Sequence, residues 1–502
     1  MMKTLIYQML PRLWGNGKFS AVDAAFLAYL RDEMRAGAVW YTGVIRHATK
    51  KADGGCIPAK VVKGEAGSPY AIADYYDVNP YLADDPSRRM AEFEDLVERT
   101  HAAGLQVIID FIPNHVAREY DGLMTPAGET RLGAADDPRQ HWLPENDFYY
   151  YPGTPLRLPV DCDGYTEYPA RASGNSFTPS PDVNDWYETV RLNYGDSHTP
   201  TWDRMRNIVR FWAAKGVDGF RCDMVELVPP AFMKWLIASL KGEFPHLRFI
   251  AEVYEEEKYG LYVDEVGFDL LYDKSGLYDD LRAITCQGLS ARLATWNWQM
   301  RGRLQPHMLN FLENHDEQRI ASDFFAGSAE KGYAALAVSL LQNDASFMLY
   351  FGQEIGERGM DNEPFSGVNG RTSIFDWWTV ASLERLRKWI GNRRCGLNKE
   401  ERAVLARYRS WLALSRRPAF ASGKFFDLCY CQGEGFDPER DYAFLRSDGE
   451  ECWLVAAHFG DAPVRMSLRI PPEAGDYFGQ ELPAVVPSPE VPAWDAVTLK
   501  IA

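Results

Sequence analysis

The feature of this chain that most restricts its fold is an alternation. Over most of its 502 residues, short β-branched or aromatic runs are separated by longer stretches with the apolar spacing of a helix. Parallel strands joined by crossover helices produce that rhythm. Strands are expected at 5–9 (LIYQM), 38–44 (AVWYTGV), 106–112 (QVIIDFI), 219–223 (GFRCD), 249–253 (FIAEV), 268–271 (FDLL), 308–312 (MLNFL) and 347–351 (FMLYF). Eight is the number that closes a barrel, so the expected fold class is α/β, a (β/α)8 TIM barrel. Helices are expected at 21–35, 88–103, 202–215, 231–240, 277–284 and 331–341. In VERTHAAGLQVIIDF and VRFWAAKGVDGFRCD a glycine closes the helix a few residues before the next strand.

Two stretches break the rhythm. Some 85 residues rich in Pro, Gly, Asp and Tyr follow the third strand, where a βα loop usually takes about 2 to 6. An inserted subdomain is expected over 116–200, on the loop face where such barrels keep their active sites. From about residue 420 the helical period gives way to alternating segments (YAFLRS, CWLVAAHF, VRMSLRIP) between Asp, Gly and Pro turns. A C-terminal antiparallel β-sandwich is expected over 419–502, which leaves 1–115 and 201–418 for the barrel.

Composition narrows the partners. With 54 Lys and Arg against 71 Asp and Glu, the net charge of −17 repels phosphate backbones and anionic lipid, so neither nucleic acid nor a membrane is an expected partner. An aromatic content of 13% suits neutral ligands with apolar faces, such as sugars. The cysteines at 56, 162, 222, 286, 395, 429, 431 and 452 form no C-x-x-C pair, and neither a zinc ribbon nor a disulfide framework is legible. Pro11 and Arg12 interrupt the N-terminus where a secretory signal needs an apolar stretch, and no run reaches about 18 apolar residues. The expectation is a soluble, reduced, cytoplasmic protein.

Acidic and imidazole side chains end four of the expected strands: Asp110 with His115, Arg221 with Asp223, Glu252, and His315 with Asp316. Singly, each has an ordinary explanation as a helix cap, a satisfied polar group or an ion pair. Together they sit where barrel strands converge on one mouth, and clustered titratable groups in a cleft are usually catalytic. Cleaving an acetal needs one protonated carboxylic acid and one ionised carboxylate. The apolar FIA before Glu252 favours its neutral form, and Arg221, two residues before Asp223 on the same strand face, is expected to hold that carboxylate ionised. Cys222 alternates to the other face and reads as a small buried hydrophobe. Trp40, Tyr41, Trp186 and Tyr187 are placed where rings could stack on further sugars.

DFIPNH (110–115), GFRCDMVE (219–226), FIAEV (249–253) and FLENHD (311–316), in that order, resemble the four signature strand-end regions of the α-amylase family of glycoside hydrolases, and YAIADYYDVNP (70–80) is similar to its motif after the second strand. The resemblance covers about residues 3–420 and implies a retaining α-glycoside hydrolase acting on malto-oligosaccharides or α-glucans. It implies Asp223 as nucleophile, Glu252 as general acid and then base, and Asp316 as transition-state stabiliser. His115 and His315 match the family's histidines on sugar hydroxyls, Tyr70 matches the ring beneath the sugar, and Asp110 and Arg221 complete the substrate-binding set. No organic cofactor is implied. Asn114 resembles a calcium-ligating asparagine of many members, so calcium is allowed but not required.

One departure stands out. Where many starch-cleaving members carry Lys-His after the nucleophile, this chain has Met224, Val225, Glu226 and Leu227, and a negative Glu226 cannot copy a lysine's contact. That counts against a long-chain endo-amylase and leaves room for short oligosaccharides or glucosyl transfer. A transglycosylase or isomerising member is the alternative reading, and a non-catalytic carbohydrate-binding relative a third.

Overall fold

The computed structural model describes residues 3–51, 57–393 and 395–502. Cys56 lies outside the described residues; the other seven cysteines are free thiols. Eight parallel strands close a barrel: β1 (Leu5–Met9), β2 (Ala38–Tyr41), β3 (Gln106–Phe111), β4 (Gly219–Cys222), β5 (Arg248–Ala251), β6 (Leu270–Tyr272), β7 (Met308–Phe311) and β8 (Ser346–Tyr350), with β1 paired to both β2 and β8. These are the eight runs read from the sequence, with ends that differ by at most three residues. Six helices stand where periodicity places them: α1 (Ala24–Asp32), α2 (Arg89–Ala102), α3 (Pro200–Ala214), α4 (Pro230–Glu243), α5 (Asp279–Gln287) and, after α6, α7 (Tyr333–Leu341). The structure adds α6 (Arg292–Arg301), α8 (Ala381–Gly391) and α9 (Lys399–Ser415).

Strand alternation sorts the barrel into two cores. Ile6, Ala38, Trp40, Ile108, Ile250, Leu270, Leu309 and Met348 point inward and fill the interior. Their neighbours Tyr7, Val39, Val107, Ile109, Phe220, Phe249, Leu271 and Phe347 point outward into the larger core beneath the helices. In three of the strands the inward position two residues beyond the apolar one lies at the mouth. Ile6 is thus followed by Gln8, Ile108 by Asp110 and Ile250 by Glu252, all buried. The polar cluster is the top layer of a packed barrel.

Three long excursions rise from this face. The chain after β2 forms an antiparallel pair, Ile45–His47 with Ile72–Val78, an element the sequence reading did not place. The chain after β3 pairs His115–Ala117 with Thr189–Arg191, and Tyr150–Tyr151 with Ala170–Arg171. The third runs from β8 to α8 with little regular structure.

Past α9, four antiparallel strands, β9 (Lys424–Asp427), β10 (Asp441–Ser447), β11 (Cys452–His458) and β14 (Ala496–Lys500), face a two-stranded ribbon of β12 (Ser467–Arg469) and β13 (Val485–Pro487) across a shared apolar core. Arg446 ties this sheet to the rest by donating to the carbonyls of Gln342, Ala419, Phe420 and Gly423. Among the described residues, no helix is long and apolar enough to cross a membrane.

Arg118 is the peg of the excursion after β3. Fully buried, it donates to the carbonyls of Tyr187 (2.7 Å) and Thr189 (2.9 Å), to Ser173 Oγ (2.8 Å) and to Glu167 (2.9 Å). Arg118→Met should cost about 3–5 kcal/mol, because it strands buried acceptors and one side of a buried ion pair. A denaturant melt checks this, and a midpoint unchanged from the parent would show that the excursion is held elsewhere.

Candidate active site

A cavity of about 290 Å³ opens at the C-terminal ends of the barrel strands. Asp223, Glu252 and Asp316 all line it, together with Tyr70 and His115. Asp223 follows β4, Glu252 follows β5, and Asp316 sits in the turn after β7, where its backbone N–H donates to Asn314 Oδ1 (2.8 Å). The strand order makes β4 and β5 neighbours, and their register sets Arg221 beside Ile250 on one side and beside Asp110 on the other.

Arg221 binds the group together. Its side chain is fully buried, with Nη1 2.6 Å from Asp223 Oδ1, Nη2 2.7 Å from Glu252 Oε1 and Nη1 3.9 Å from Asp110 Oδ1. Nε donates to the Tyr272 hydroxyl (3.3 Å). The contact to Asp223 is a well-formed hydrogen bond, whereas Nη2 faces Glu252 without hydrogen-bond geometry. The sequence reading set Arg221 beside Asp223; the structure adds Glu252, so the guanidinium is shared. Burial raises both carboxyls and Arg221 opposes the rise in both. Glu252, which also feels the negative charges of Asp223 and Asp316, is pushed up to about 7. Asp316 goes the other way. Burial works to raise it, but His315, whose Nε2 lies 3.0 Å from Oδ2, and then Arg221 and Arg371 outweigh burial and hold it at about 2.

Of the expected binding residues, Tyr70 and His115 face the cavity, and Asp110, Arg221 and His315 lie one layer beneath it. Asp110 accepts from Trp40 Nε1 (3.1 Å) and from the Tyr70 hydroxyl (3.4 Å). His315 is stacked on Tyr70, with centroids 5.2 Å apart, and its Nδ1 takes a hydrogen bond from the Gln8 amide (2.7 Å). That leaves Nε2–H to face the Tyr70 oxygen and Asp316. Burial pulls His115 down to about 3, so it is a neutral imidazole, set beside Trp186 with centroids 5.2 Å apart. Gly174 permits that approach, because a Cβ there would stand 3.1 Å from His115 Cβ and 3.0 Å from the Trp186 ring.

The aromatic residues divide. Trp186 lines the cavity. Trp40 and Tyr41 are corrected from sugar platforms to core, since both are fully buried, Trp40 against Asp110 and Tyr41 bonded to Thr100. Tyr187 packs with Val61 and Cys162, under the Lys63 ammonium. Lys63, Ser68, Glu188, Tyr254 and Phe375 also line the cavity and escaped the sequence reading. Tyr254 was within reach of it, being two residues beyond Glu252, where strand alternation repeats a face. The others lie on loops without periodicity. Lys63 Nζ sits 3.1 Å from Glu188 Oε2.

Asn114 is buried, and its Oδ1 has no hydrogen-bond partner among the described residues. Its Nδ2 donates to the Gly174 carbonyl (2.8 Å), which also accepts from the Arg191 guanidinium (3.1 Å). Calcium asks for six or more oxygens. Among the described residues no three His, Cys, Asp or Glu side chains gather for a metal.

Residues 24–259 match the family model described as the α-amylase catalytic domain. Over that stretch, a little under half of its length, the chain is similar to the α-amylase family. Among its relatives, α-amylase 3 of Dictyoglomus thermophilum is 23% identical over 62% of this chain and 59% of its own length. A cyclomaltodextrin glucanotransferase of Geobacillus stearothermophilus is 27% identical over 57% of this chain and 37% of its own. The chain thus spans between about a third and three fifths of the length of these relatives. In fold it is similar throughout to the cyclic α-maltosyl-(1→6)-maltose hydrolase of Arthrobacter globiformis, with a TM-score of 0.66 at 16% identity over 100% of this chain and 99% of that one.

The raised carboxyl has a direct consequence for an enzyme that uses Glu252 as its acid. A group lifted to about 7 stays protonated below that pH and loses its proton above it, so kcat/KM on an α-glucoside should fall as pH rises through about 7. A pH profile flat to about pH 9 would contradict Glu252 as the proton donor.

Proposed function

We propose that this chain is a retaining α-glycoside hydrolase that cleaves α-glucosidic bonds of malto-oligosaccharides or α-glucans through a covalent glycosyl-enzyme on Asp223. The observation that carries the reading is one small cavity bordered by three carboxyl groups, two of them joined by a single buried guanidinium. Two carboxyls bridged in this way are close-set, as in retaining enzymes, where about 5–5.5 Å separates nucleophile from acid. Inverting enzymes need a wider gap for a water.

In the first step Glu252 gives its proton to the leaving oxygen as Asp223 attacks the anomeric carbon, so the glycosidic bond breaks while the Asp223 ester forms. Asp316, kept ionised, lowers the energy of the positive oxocarbenium-like transition state. Glu252, now a carboxylate, takes a proton from water, which attacks the same carbon and releases Asp223. Tyr70 and His115 present a ring face and a neutral imidazole to the sugar between these groups. No step passes through a metal at Asn114.

A sugar hydroxyl can replace water in the second step, and the likeness to a cyclomaltodextrin glucanotransferase supports transfer as a second outcome at the same residues. Seven free thiols among the described residues favour a reducing compartment, which agrees with a cytoplasmic location.

Maltoheptaose, pullulan and trehalose incubated in parallel and resolved by chromatography test the reading. Shorter products indicate hydrolysis, and chains longer than the input indicate transfer. Asp223→Asn and Glu252→Gln should each lower turnover by roughly 10³-fold or more with the fold intact by circular dichroism. Near-parental turnover in either variant would remove that residue from its role.

A further inference from the structure

The departure at Glu226 proves to be structural in a specific way. The turn after the nucleophile strand is tied by hydrogen bonds on several sides. Leu227 N–H donates to the Met224 carbonyl (3.0 Å), the Arg191 guanidinium to the Leu227 carbonyl (2.8 Å) and the Tyr262 hydroxyl to the Val225 carbonyl (3.3 Å). From this turn Glu226 reaches across to the loop after β5. Its Oε2 accepts the N–H of Tyr254 (2.9 Å) and its Oε1 the N–H of Glu255 (3.1 Å), a two-pronged grip on successive peptide groups. A lysine could not make this grip, because it has no acceptor.

The gripped residue touches the proton donor. The Tyr254 hydroxyl donates to Glu252 Oε1 (2.8 Å), while the backbone N–H of Met224 donates to Oε2 (2.9 Å). Met224 presents that N–H from a left-handed conformation (φ 44°, ψ 46°), which costs a non-glycine residue about 1 kcal/mol. Both oxygens of Glu252 are therefore held by groups whose positions depend on the turn 224–227. Resting on the hydrolase reading above, we propose that Glu226 is a positioning residue: by clamping the loop after β5 to the turn after β4 it fixes Tyr254, and through Tyr254 it sets where Glu252 points and how readily it releases its proton.

The charged and titratable groups that face Glu252 are Arg221 and Asp223 from β4 and its end, Asp316 from the turn after β7, Tyr272 from β6 and Tyr254 on its own loop. Arg221 and the Tyr254 hydroxyl favour the ionised carboxyl, and Asp223 and Asp316 disfavour it. Removing the tyrosine hydroxyl leaves the two negative neighbours less opposed. The proton is then held more tightly, and the alkaline limb of activity moves to higher pH.

The test compares kcat/KM against pH for the full chain and for Tyr254→Phe, Glu226→Gln, Glu226→Ala and the double variant Glu226→Ala/Tyr254→Phe, on whichever α-glucoside the parent cleaves best. Tyr254→Phe should move the alkaline limb up by about one pH unit, the effect of losing one hydrogen bond to a charged group. It should lower kcat about tenfold with KM nearly unchanged, since the contact serves proton transfer and not substrate binding. Glu226→Ala should shift the limb in the same direction by about half as much, with Glu226→Gln, which keeps one acceptor oxygen, in between. Because Glu226 acts through Tyr254, the double variant should match Tyr254→Phe alone. An alkaline limb that stays put in Tyr254→Phe, or shifts that simply add in the double variant, would overturn the clamp while leaving the hydrolase reading standing. A loss of thermal stability in Glu226→Ala with an unmoved limb would make Glu226 a loop brace only. A parent inert towards every α-glucoside would bring down the reading and the clamp together.

Discussion

A single buried cation sets the terms for the mouth of this barrel. Arg221 has no contact with solvent, and a guanidinium in that position is tolerable only with close acceptors. Asp223, Glu252 and the Tyr272 hydroxyl supply them, and the rings of Trp40, Tyr70 and Tyr272 enclose it at 5.3 to 5.5 Å from their centroids. The dependence runs both ways, since three carboxyls around one small cavity would repel each other and protonate if no positive charge lay beneath them. Arg221 opposes the upward push of burial on Asp223. It does not fully offset burial at either carboxyl, and Glu252, which also feels Asp223 and Asp316, rises to about 7.

Around this charge the structure is layered. Apolar residues fill the barrel interior, and the next inward positions of β1, β3, β4 and β5 carry Gln8, Asp110, Arg221 and Glu252. Above them Tyr70, stacked on His315, and His115, beside Trp186, form the surface a sugar would meet. Each of these layers orients the one above it. Gln8 sets the tautomer of His315, His315 restrains Tyr70 and Asp316, and Trp40 holds Asp110. Packing of this kind keeps reactive groups within narrow angular limits, which a site assembled from loops alone would not do.

Much of this was legible in the residues. The eight strands were marked by short apolar runs, and Asp110, Arg221, Asp223 and Glu252 were marked by their place at the ends of those runs, where alternation fixes the face. The charge environment was only half legible: FIA before Glu252 announced burial, but the sharing of Arg221 between two strands depends on their register, which no local pattern encodes. Trp40 and Tyr41 illustrate the opposite failure. Aromatic rings at strand ends look alike whether they face a ligand or the core, and only the neighbours that pack on them decide. Lys63, Glu188 and Phe375 come from excursions without a repeating period, where sequence spacing says nothing about direction.

What the sequence determined by itself is therefore the barrel and the identity of the groups at its mouth, because strand periodicity is a local property written into successive residues. What only the tertiary structure decided is how those groups share charge and which loop residues reach them. Glu226 shows the difference most plainly: read along the chain it is a lost lysine, and seen in the fold it grips the loop that carries Tyr254. Interactions between β4 and β5 arise from strands brought side by side by barrel closure, and their energies depend on distances that no stretch of sequence contains.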